Sequence, residues 1–247
     1  MATQKGILPL VGTLEGVNFY IRKGKAVARK AGGGFTGKAI KTKPSMERVR
    51  ENNSEFGHCS KIKKGFRIAL IPFLKYYIDG TLHGRMMQLF QEIKELDSSS
   101  TRGSRTVGHG ILTATGKEVF RNFVYNPNCK VSEVVPMKGI YNEETGVFTV
   151  NDFDINLVRF PKSATHLELQ FGVLGVDFST LNFKLCLATP LVLEKKVPLD
   201  GFEFVPDILP EIGWERFAFV GITFYQEVNG VRYVLKEEGN VGVACVG

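Results

Sequence analysis

The glycines and lysine in residues 31–44, AGGGFTGKAIKTKP, have the spacing of a phosphate-binding loop. Gly32, Gly37 and Lys38 follow the order glycine, four residues, glycine, lysine. A working loop of this kind follows a buried strand and opens a helix, so that backbone N–H groups converge on the phosphates. Here charged residues precede the glycines, Ala39 replaces the magnesium-binding hydroxyl, and a proline follows too soon for a helix. The sequence therefore predicts neither a nucleotide site nor a helix at this point.

The other reactive residue types lack the spacing that catalysis or metal binding requires. Residues 98–100 are a run of serines in a polar segment rather than a nucleophile elbow, and Asp152 and Asp154 fit a solvated turn. The cysteines form no Cys-x-x-Cys pair, which is typical of free thiols in a reducing compartment. No two histidines stand four residues apart; they are His58, His83, His109 and His166. We therefore expect a protein that is not an enzyme and that has no cofactor and no metal.

Charge is distributed unevenly along the chain. Residues 1–67 contain 15 Lys and Arg and four acidic residues, whereas residues 68–247 contain 17 and 21. Residues 22–43 contain no acidic residue, and Phe35 lies among their cations. Phosphate backbones and acidic protein surfaces both attract such a segment. The candidate contact residues, for nucleic acid or for assembly, are Arg22, Lys23, Lys25, Arg29, Lys30, Lys38, Lys41 and Lys43.

The N-terminal region is predicted to hold a small basic hairpin followed by a flexible arm. Residues 17–22, VNFYIR, alternate apolar and polar side chains with the period of a strand, and a glycine-containing turn leads to AVARK. Residues 31–43 contain too few apolar side chains to order themselves, so we expect an arm or a loop.

Helical spacing of apolar residues follows the arm. Ser45 is a good N-cap, Gly57 is expected to interrupt the first helix, and Pro72 to stop or kink the second. The polar segment 97–110 is the best candidate for a domain boundary, and a short helix is expected after it. The three main helical stretches are residues 45–56, 59–70 and 82–96.

From about Lys130 the pattern becomes that of antiparallel strands. Residues 139–150 fit a strand, a polar turn and a strand, and Asn229–Gly230 separates two alternating apolar segments. Asn-Gly tolerates the positive φ angles of a tight turn, so it predicts a hairpin. The spacing of turn residues predicts about seven strands in a sandwich. The apolar final segment, NVGVACVG, is expected to pair in its own sheet or in that of a neighbour.

These patterns together predict an α+β fold: a basic N-terminal hairpin and arm, a short helical middle segment, and a C-terminal antiparallel β-sandwich. The segments are residues 1–44 (basic arm and hairpin), 45–97 (helical segment), 98–129 (a linker with room for a short helix) and 130–247 (β-sandwich domain).

Three stretches of the chain resemble a Bacteroidota-type protein family. They are residues 16–57, which contain the pattern K-T-x-P-x-x-x-R-x-R-E-N, and the segments FPKSATHLELQFGV and FYQEVNGVRYVLK. The family combines a basic N-terminal segment with a β-rich C-terminal domain, and its motifs carry no assigned chemistry. The resemblance therefore implies an architecture, similar to that of particle or filament subunits, and no active site.

Function is expected to follow from the basic front and not from catalysis. Our leading expectation is a non-enzymatic structural protein that self-assembles into a filament, tube or particle through an extended basic arm and strand exchange. The alternatives are a nucleic-acid-binding protein that uses the same segment, and a β-sandwich that binds carbohydrate or protein.

The expected partners are therefore other copies of the chain or nucleic acid. The most apolar segment falls short of the roughly 20 residues a membrane span needs, and residues 1–16 lack the apolar length and the cleavage pattern that a signal peptide would show. We accordingly expect no membrane span and a cytoplasmic location on synthesis, with later incorporation into an assembled particle or filament.

Overall fold

The computed structural model describes residues 2–6, 8–32, 36–77 and 79–247. It divides into two compact units, Met1–Arg50 and Glu51–Gly247. No helix in these described ranges is both long and apolar enough to cross a membrane.

The first unit contains a four-stranded antiparallel sheet and a short helix. The strands are β1 (Ala2–Thr3), β2 (Gly12–Leu14), β3 (Val17–Arg22) and β4 (Lys25–Lys30), in the order β1-β4-β3-β2. The predicted hairpin of β3 and β4 is confirmed, with Val17 opposite Lys30 and Arg22 opposite Lys25. Lys23 and Gly24 both have positive φ, as the tight turn between these strands requires.

The prediction that residues 31–43 form no helix is wrong. Helix α1 (Gly37–Thr42) begins after Thr36, whose side-chain oxygen accepts a hydrogen bond from the Ala39 N–H at 3.2 Å. This cap satisfies one of the free N–H groups at the helix start, which allows six residues to form a helix before the proline. The last two residues of the triple glycine and the phenylalanine after them, residues 33–35, lie outside the described ranges.

The middle of the chain is helical, as predicted, but with fewer interruptions. A 3₁₀ turn at Pro44–Met46, in which Ser45 makes no cap, leads into α2 (Glu47–Ala69). Helix α2 continues through Gly57, contrary to the prediction. A helical glycine costs only about 1 kcal/mol, and burial of Cys59, Ile62 and Phe66 on one side of the helix after it holds the helix together.

Pro72 follows the end of α2 and lies in the first turn of α3 (Ile71–Leu74), so the predicted stop is confirmed. The predicted third helix is α4 (Leu82–Glu95). Two short helices follow, α5 (Val107–Ile111) and α6 (Ala114–Arg121), and the second of these was expected.

The rest of the second unit is antiparallel sheet. Its elements are α7 (Val131–Val134), β5 (Gly139–Tyr141), β6 (Phe148–Asn151), a 3₁₀ turn (Ile155–Leu157), β7 (His166–Asp177), β8 (Asn182–Leu187), β9 (Leu191–Glu194), β10 (Gly201–Phe204), β11 (Glu215–Val228), β12 (Val231–Val234) and β13 (Val241–Cys245).

These strands form two sheets. Strands β10-β6-β5 make the smaller sheet. In the larger, β7 and β11 pair at the centre, β8 and β9 both pair with the outer side of β7, and β12 and β13 with that of β11. The prediction of seven strands is therefore wrong: the described part of the unit has nine, because each long central strand is flanked by two short ones.

Two local predictions about the last strands are confirmed. Asn229 and Gly230 have φ of 52° and 78° and join β11 to β12. The apolar final segment forms β13, which pairs with β11 of its own chain, Phe219 standing opposite Cys245.

Both faces of the larger sheet are buried, so the second unit has three layers. One face packs on the helices, where Phe66 of α2 and Phe120 of α6 contact Phe217. The opposite face packs on the smaller sheet, where Phe171 stacks on rings of that sheet. The fold is thus α+β with an antiparallel sandwich, as predicted. The segments 51–97, 98–129 and 130–247 belong to one compact unit, because the helices cover a face of the sandwich.

Truncation of the ring between the two sheets should destabilise this unit strongly. Phe171 is fully buried, with its centroid 5.3 Å from that of Phe148 and 5.7 Å from that of Phe204. We expect Phe171→Ala to lower the free energy of unfolding by about 3–5 kcal/mol, since it leaves a cavity. Urea unfolding followed by circular dichroism measures this. Tyr233→Ala, at a position 57% exposed on β12, is the control and should change the value by about 0.5 kcal/mol or less. Equal effects of the two changes would contradict this account of the core.

Candidate interaction surface

The sheet of the first unit has one apolar and one polar face. Alternate residues of a strand point to opposite faces, and the pairing register shows which residues of neighbouring strands share a face. Phe19 stands opposite Gly12 and Ala28, and Tyr20 stands opposite Val27. The face that we call the apolar sheet face consists of Leu14, Val17, Phe19, Ile21, Ala26 and Ala28.

Among the described residues of Met1–Arg50, no second layer buries the apolar sheet face. None of the described residues of Met1–Arg50 is buried, and Leu14 and Ile21 are 63% and 54% exposed. A sheet normally buries one face against another layer, and a unit of this size is marginally stable even with a core. This face therefore has the apolar composition of a surface that normally packs against a second layer of the structure.

The opposite face is basic. Arg22, Lys25 and Arg29 share it with Tyr20, and the Arg29 guanidinium carbon lies 5.7 Å from the centroid of the Tyr20 ring. That distance fits a cation–π contact, which orients the arginine across the face. We call this surface the basic sheet face.

The eight predicted contact residues are all exposed, but they do not form one patch. Three of them lie together on the basic sheet face, as described above. Lys23 lies in the turn, and Lys30, opposite Val17, is on the apolar sheet face at its far end. The remaining three are Lys38 and Lys41 in α1 and Lys43 at its C-cap.

The helix that begins at Gly37 does not complete a phosphate site. Strand β4, which precedes the glycines, lies in an exposed antiparallel sheet, whereas a phosphate loop follows a buried parallel strand. The Thr36 hydroxyl already accepts the Ala39 N–H, which a phosphate would otherwise use.

A cluster of Asp97, Ser99, Ser100 and His109 resembles a hydrolytic triad in composition only. His109 Nδ1 lies 3.2 Å from Asp97 Oδ2, 3.1 Å from Ser99 Oγ and 3.3 Å from Ser100 Oγ. In a triad the carboxylate and the serine bind opposite ring nitrogens, so that a proton can pass through the ring. Here all three contacts are made to one nitrogen, which leaves no such path.

The cluster instead fastens the loop after α4. Asp97 accepts the N–H groups of Ser99, Ser100 and Thr106 at 2.9–3.0 Å. Burial raises the pKa of Asp97, but these hydrogen bonds outweigh it and hold that pKa below its usual value. The serines and the histidine were considered separately as candidate residues, whereas the buried Asp97 that contacts them was not predicted. The signal available was an aspartate placed directly before the serine run.

Sequence analysis also missed a buried ion-pair network around Glu55 of α2. Arg105 contacts the Glu55 carboxylate through Nε and Nη2, both at 2.9 Å, and Lys94 Nζ lies 2.6 Å from Oε2. Glu95 contacts both cations from the solvent side. The hydrogen bond from Arg105 is the main reason that the pKa of Glu55 falls from 4.5 to about 2.

The cysteines are not poised to act as nucleophiles or metal ligands. Burial raises the pKa of Cys59 to about 11 and the pKa values of Cys129 and Cys245 to about 12, so they remain thiols. Among the described residues, no three His, Cys, Asp or Glu side chains group together as a metal site would require.

A cleft of about 190 Å³ next to Cys245 has side chains of both charge signs in its lining, including Lys117, Arg121 and Glu215. The Cys245 thiol in its lining stays protonated, because burial raises its pKa, so this thiol does not act as a nucleophile.

A carbohydrate-binding role of the sandwich would need aromatic rings on an exposed face. In the described ranges, Phe56 and Tyr233 are the aromatic residues counted as exposed, and they lie on α2 and β12. Trp214 is half-buried. No aromatic platform therefore supports this alternative.

No protein-family model matches the chain, and neither does any curated protein sequence or solved structure. The resemblance to a Bacteroidota-type family stays a prediction.

The Glu55 network makes the second unit sensitive to acid. Because its pKa is lowered on folding, ionised Glu55 stabilises the folded state above pH 4.5, and this contribution is lost as the pH falls toward 2. We expect Glu55→Gln to lower the free energy of unfolding at pH 7 by about 3 kcal/mol, since it leaves buried cations without a carboxylate.

Urea unfolding at a series of pH values tests this. The difference in free energy of unfolding between the wild type and Glu55→Gln should become smaller as the pH falls from 4.5 to 2. Glu133→Gln, which breaks an exposed pair with Lys130, is the control and should leave the free energy of unfolding nearly unchanged, because solvent screens that pair. A gap that stayed constant across this pH range would mean that the Glu55 carboxylate does not account for the effect.

Proposed function

We propose that this chain is a non-enzymatic structural subunit that assembles with further copies of itself through its Met1–Arg50 unit, into a filament, tube or particle. The observation that carries the proposal is the uncovered apolar sheet face. A surface of this composition gains roughly 25 cal/mol for each Å² of apolar area removed from water. A neighbouring subunit would supply the missing layer.

The pairing of the strands restricts how such contacts form. Strands β3 and β4 pair with each other, and β13 pairs with β11 of its own chain. The proposed contact therefore uses a face of the sheet and does not need the exchange of strands. The edge strands β1 and β2 are only two and three residues long, which makes them poor templates for a strand from another copy.

The charges of the two units favour contact between copies. Met1–Arg50 contains 11 Lys and Arg and two acidic residues, whereas Glu51–Gly247 contains 21 and 23. Opposite net charges on two parts of one chain attract when those parts belong to different copies. They also disfavour pairing of two basic units with each other.

Polar substitutions on the apolar sheet face should weaken assembly. We expect Leu14→Thr combined with Ile21→Thr to raise the concentration needed for half-assembly at least about tenfold, because two apolar contacts are lost. Threonine keeps strand propensity, and both positions are exposed in the single chain, so its fold should be unaffected. Sedimentation velocity over a concentration series measures the change.

Ile140→Thr combined with Leu157→Thr is the matched control, since these residues of the second unit are 68% and 59% exposed. This variant should assemble like wild type. A wild-type chain that remains monomeric at high concentration in low salt would refute the proposed function itself.

A second candidate function is nucleic-acid binding through the basic sheet face. It is favoured by one observation: Arg22, Lys25 and Arg29 share that face with the Tyr20 ring. Cations beside an aromatic ring suit a single strand, whose phosphates pair with the cations and whose bases stack on the ring.

Neutral substitutions should reveal this activity through its salt dependence. If the face binds nucleic acid, changing Arg22, Lys25 and Arg29 to Gln should reduce the slope of log K against log salt by about 2, because three phosphate contacts are lost. Fluorescence anisotropy of labelled oligo(dT) measures it. The control replaces the exposed Lys138, Lys162 and Lys196 of the second unit by Gln and should leave the slope unchanged. Equal slopes for all three proteins would exclude this function.

A further inference from the structure

The second unit exposes a loop in which two isoleucine side chains lie largely in solvent. Residues 205–214, VPDILPEIGW, join β10 to β11. They contain the pattern proline–acid–isoleucine twice, four residues apart. Ile208 and Ile212 are 59% and 97% exposed. Apolar side chains this exposed, and paired in this way, are typical of an interaction surface. We call residues 206–212 the Pro-acid-Ile loop.

The prolines hold the loop in place. Pro206 and Pro210 are both buried, and Pro206 forms a β-bridge with Ala188. The Pro210 carbonyl accepts a hydrogen bond from Arg216 at 3.2 Å, and its ring packs so closely on Gly175 of β7 that a Cβ there would overlap it. The isoleucines are therefore presented by a fixed backbone, which reduces the entropy lost on binding.

The acidic residues of the loop are available to a partner. Asp207 and Glu211 are exposed, and within the described ranges their carboxylates make no hydrogen bond or ion pair. Each stands directly before an isoleucine. The loop thus presents two apolar side chains together with two negative charges.

The apolar sheet face of the first unit has the complementary composition. Lys23, in the turn, lies beyond one end of this face, and Lys30 lies at the other, about 17 Å along the strand. Between them lie apolar side chains, among them the exposed Ile21 and the half-buried Phe19. Lysine stems can lie along an apolar surface while their ammonium groups reach outward to carboxylates.

We propose that the Pro-acid-Ile loop of one copy docks on the apolar sheet face of the next copy. This inference rests on the proposed function and names the surface that the first unit contacts. The isoleucines cover the apolar sheet face, while Asp207 and Glu211 pair with Lys23 and Lys30. Because two different surfaces meet, the contact is head to tail, and repetition generates a ring or an open filament.

A charge exchange between two variants tests this contact. Variant X carries Lys23→Asp and Lys30→Glu, and variant Y carries Asp207→Lys and Glu211→Lys. Aspartate is used at position 23 because that residue has positive φ, which Asp tolerates well. In X, acids face the acidic loop. In Y, the new lysines of the loop face Lys23 and Lys30 of the next copy.

Each variant alone should remain monomeric at concentrations where wild type assembles. An equimolar mixture should assemble, because every contact between X and Y pairs opposite charges. Sedimentation velocity and negative-stain electron microscopy of X, Y and the mixture measure this. A third variant, Ile208→Ser with Ile212→Ser, should assemble at least tenfold more weakly than wild type, and circular dichroism checks that each variant is folded.

The outcomes separate this inference from the proposed function. A monomeric wild type refutes both. If the wild type assembles and X and Y each assemble equally well alone, the head-to-tail contact is overturned. The same holds if X and Y fail to assemble when mixed. In both cases the wild type still self-assembles, but through another surface. Dissociation of the wild-type assembly on nuclease treatment would likewise overturn the contact, because nucleic acid would then be what joins the copies.

Discussion

The antiparallel pair of β7 and β11 is the element around which the second unit is built. Eleven residue pairs join these strands, from Glu215 opposite Val176 to Tyr225 opposite His166. Both faces of the pair are buried along its centre, where Phe219 belongs to the core with the helices and Val220 to the core with the smaller sheet. Gly221 is needed there because a Cβ would overlap the ring of Phe73. The short flanking strands then occupy both outer sides of the pair.

The first unit follows the same alternation of side chains but lacks the additional layers. Its sheet places most of its apolar side chains on one face and Arg22, Lys25 and Arg29 on the other, with Lys30 at the end of the apolar face. In the larger sheet, Phe217 and Ala218 point to opposite faces and both are buried. In the sheet of the first unit, Phe19 and Tyr20 point to opposite faces, and neither side chain is fully buried. An amphipathic sheet gains stability from the molecule or layer that covers its apolar face. A partner that binds this face would therefore also stabilise the folded state of the first unit.

The features that the sequence predicts well are those fixed by neighbouring residues. Asn229–Gly230 determines its hairpin through local φ angles, and the spacing of apolar residues in α4 is regular enough to define that helix. The continuity of α2 through Gly57 was missed because tertiary burial, not propensity, decides it. The nine-strand arrangement was missed because two strands share each side of a central one, which depends on pairing between distant residues.

The candidate surface was predicted in composition and not in arrangement. The cations of residues 22–43 are evident from the sequence, but their distribution over two faces, a turn and a helix follows from the register of β3 and β4. The Glu55 network joins residues 50 positions apart, so no local pattern indicates it. The Pro-acid-Ile loop is visible in the sequence as a repeat, yet its meaning depends on which of its side chains are buried, and only the fold decides that.

The two faces of the first unit are independent surfaces, which relates the two candidate functions. If the apolar sheet face is covered by a neighbouring copy, the basic sheet face with Arg22, Lys25 and Arg29 still points away from that contact. A chain of such subunits would carry one basic face per copy at regular intervals. Weak contacts to a polyanion that are repeated along a rigid support strengthen one another through effective concentration. Nucleic-acid binding that is feeble in the monomer would therefore become strong only in the assembly, whereas binding by an isolated basic module would not depend on assembly at all.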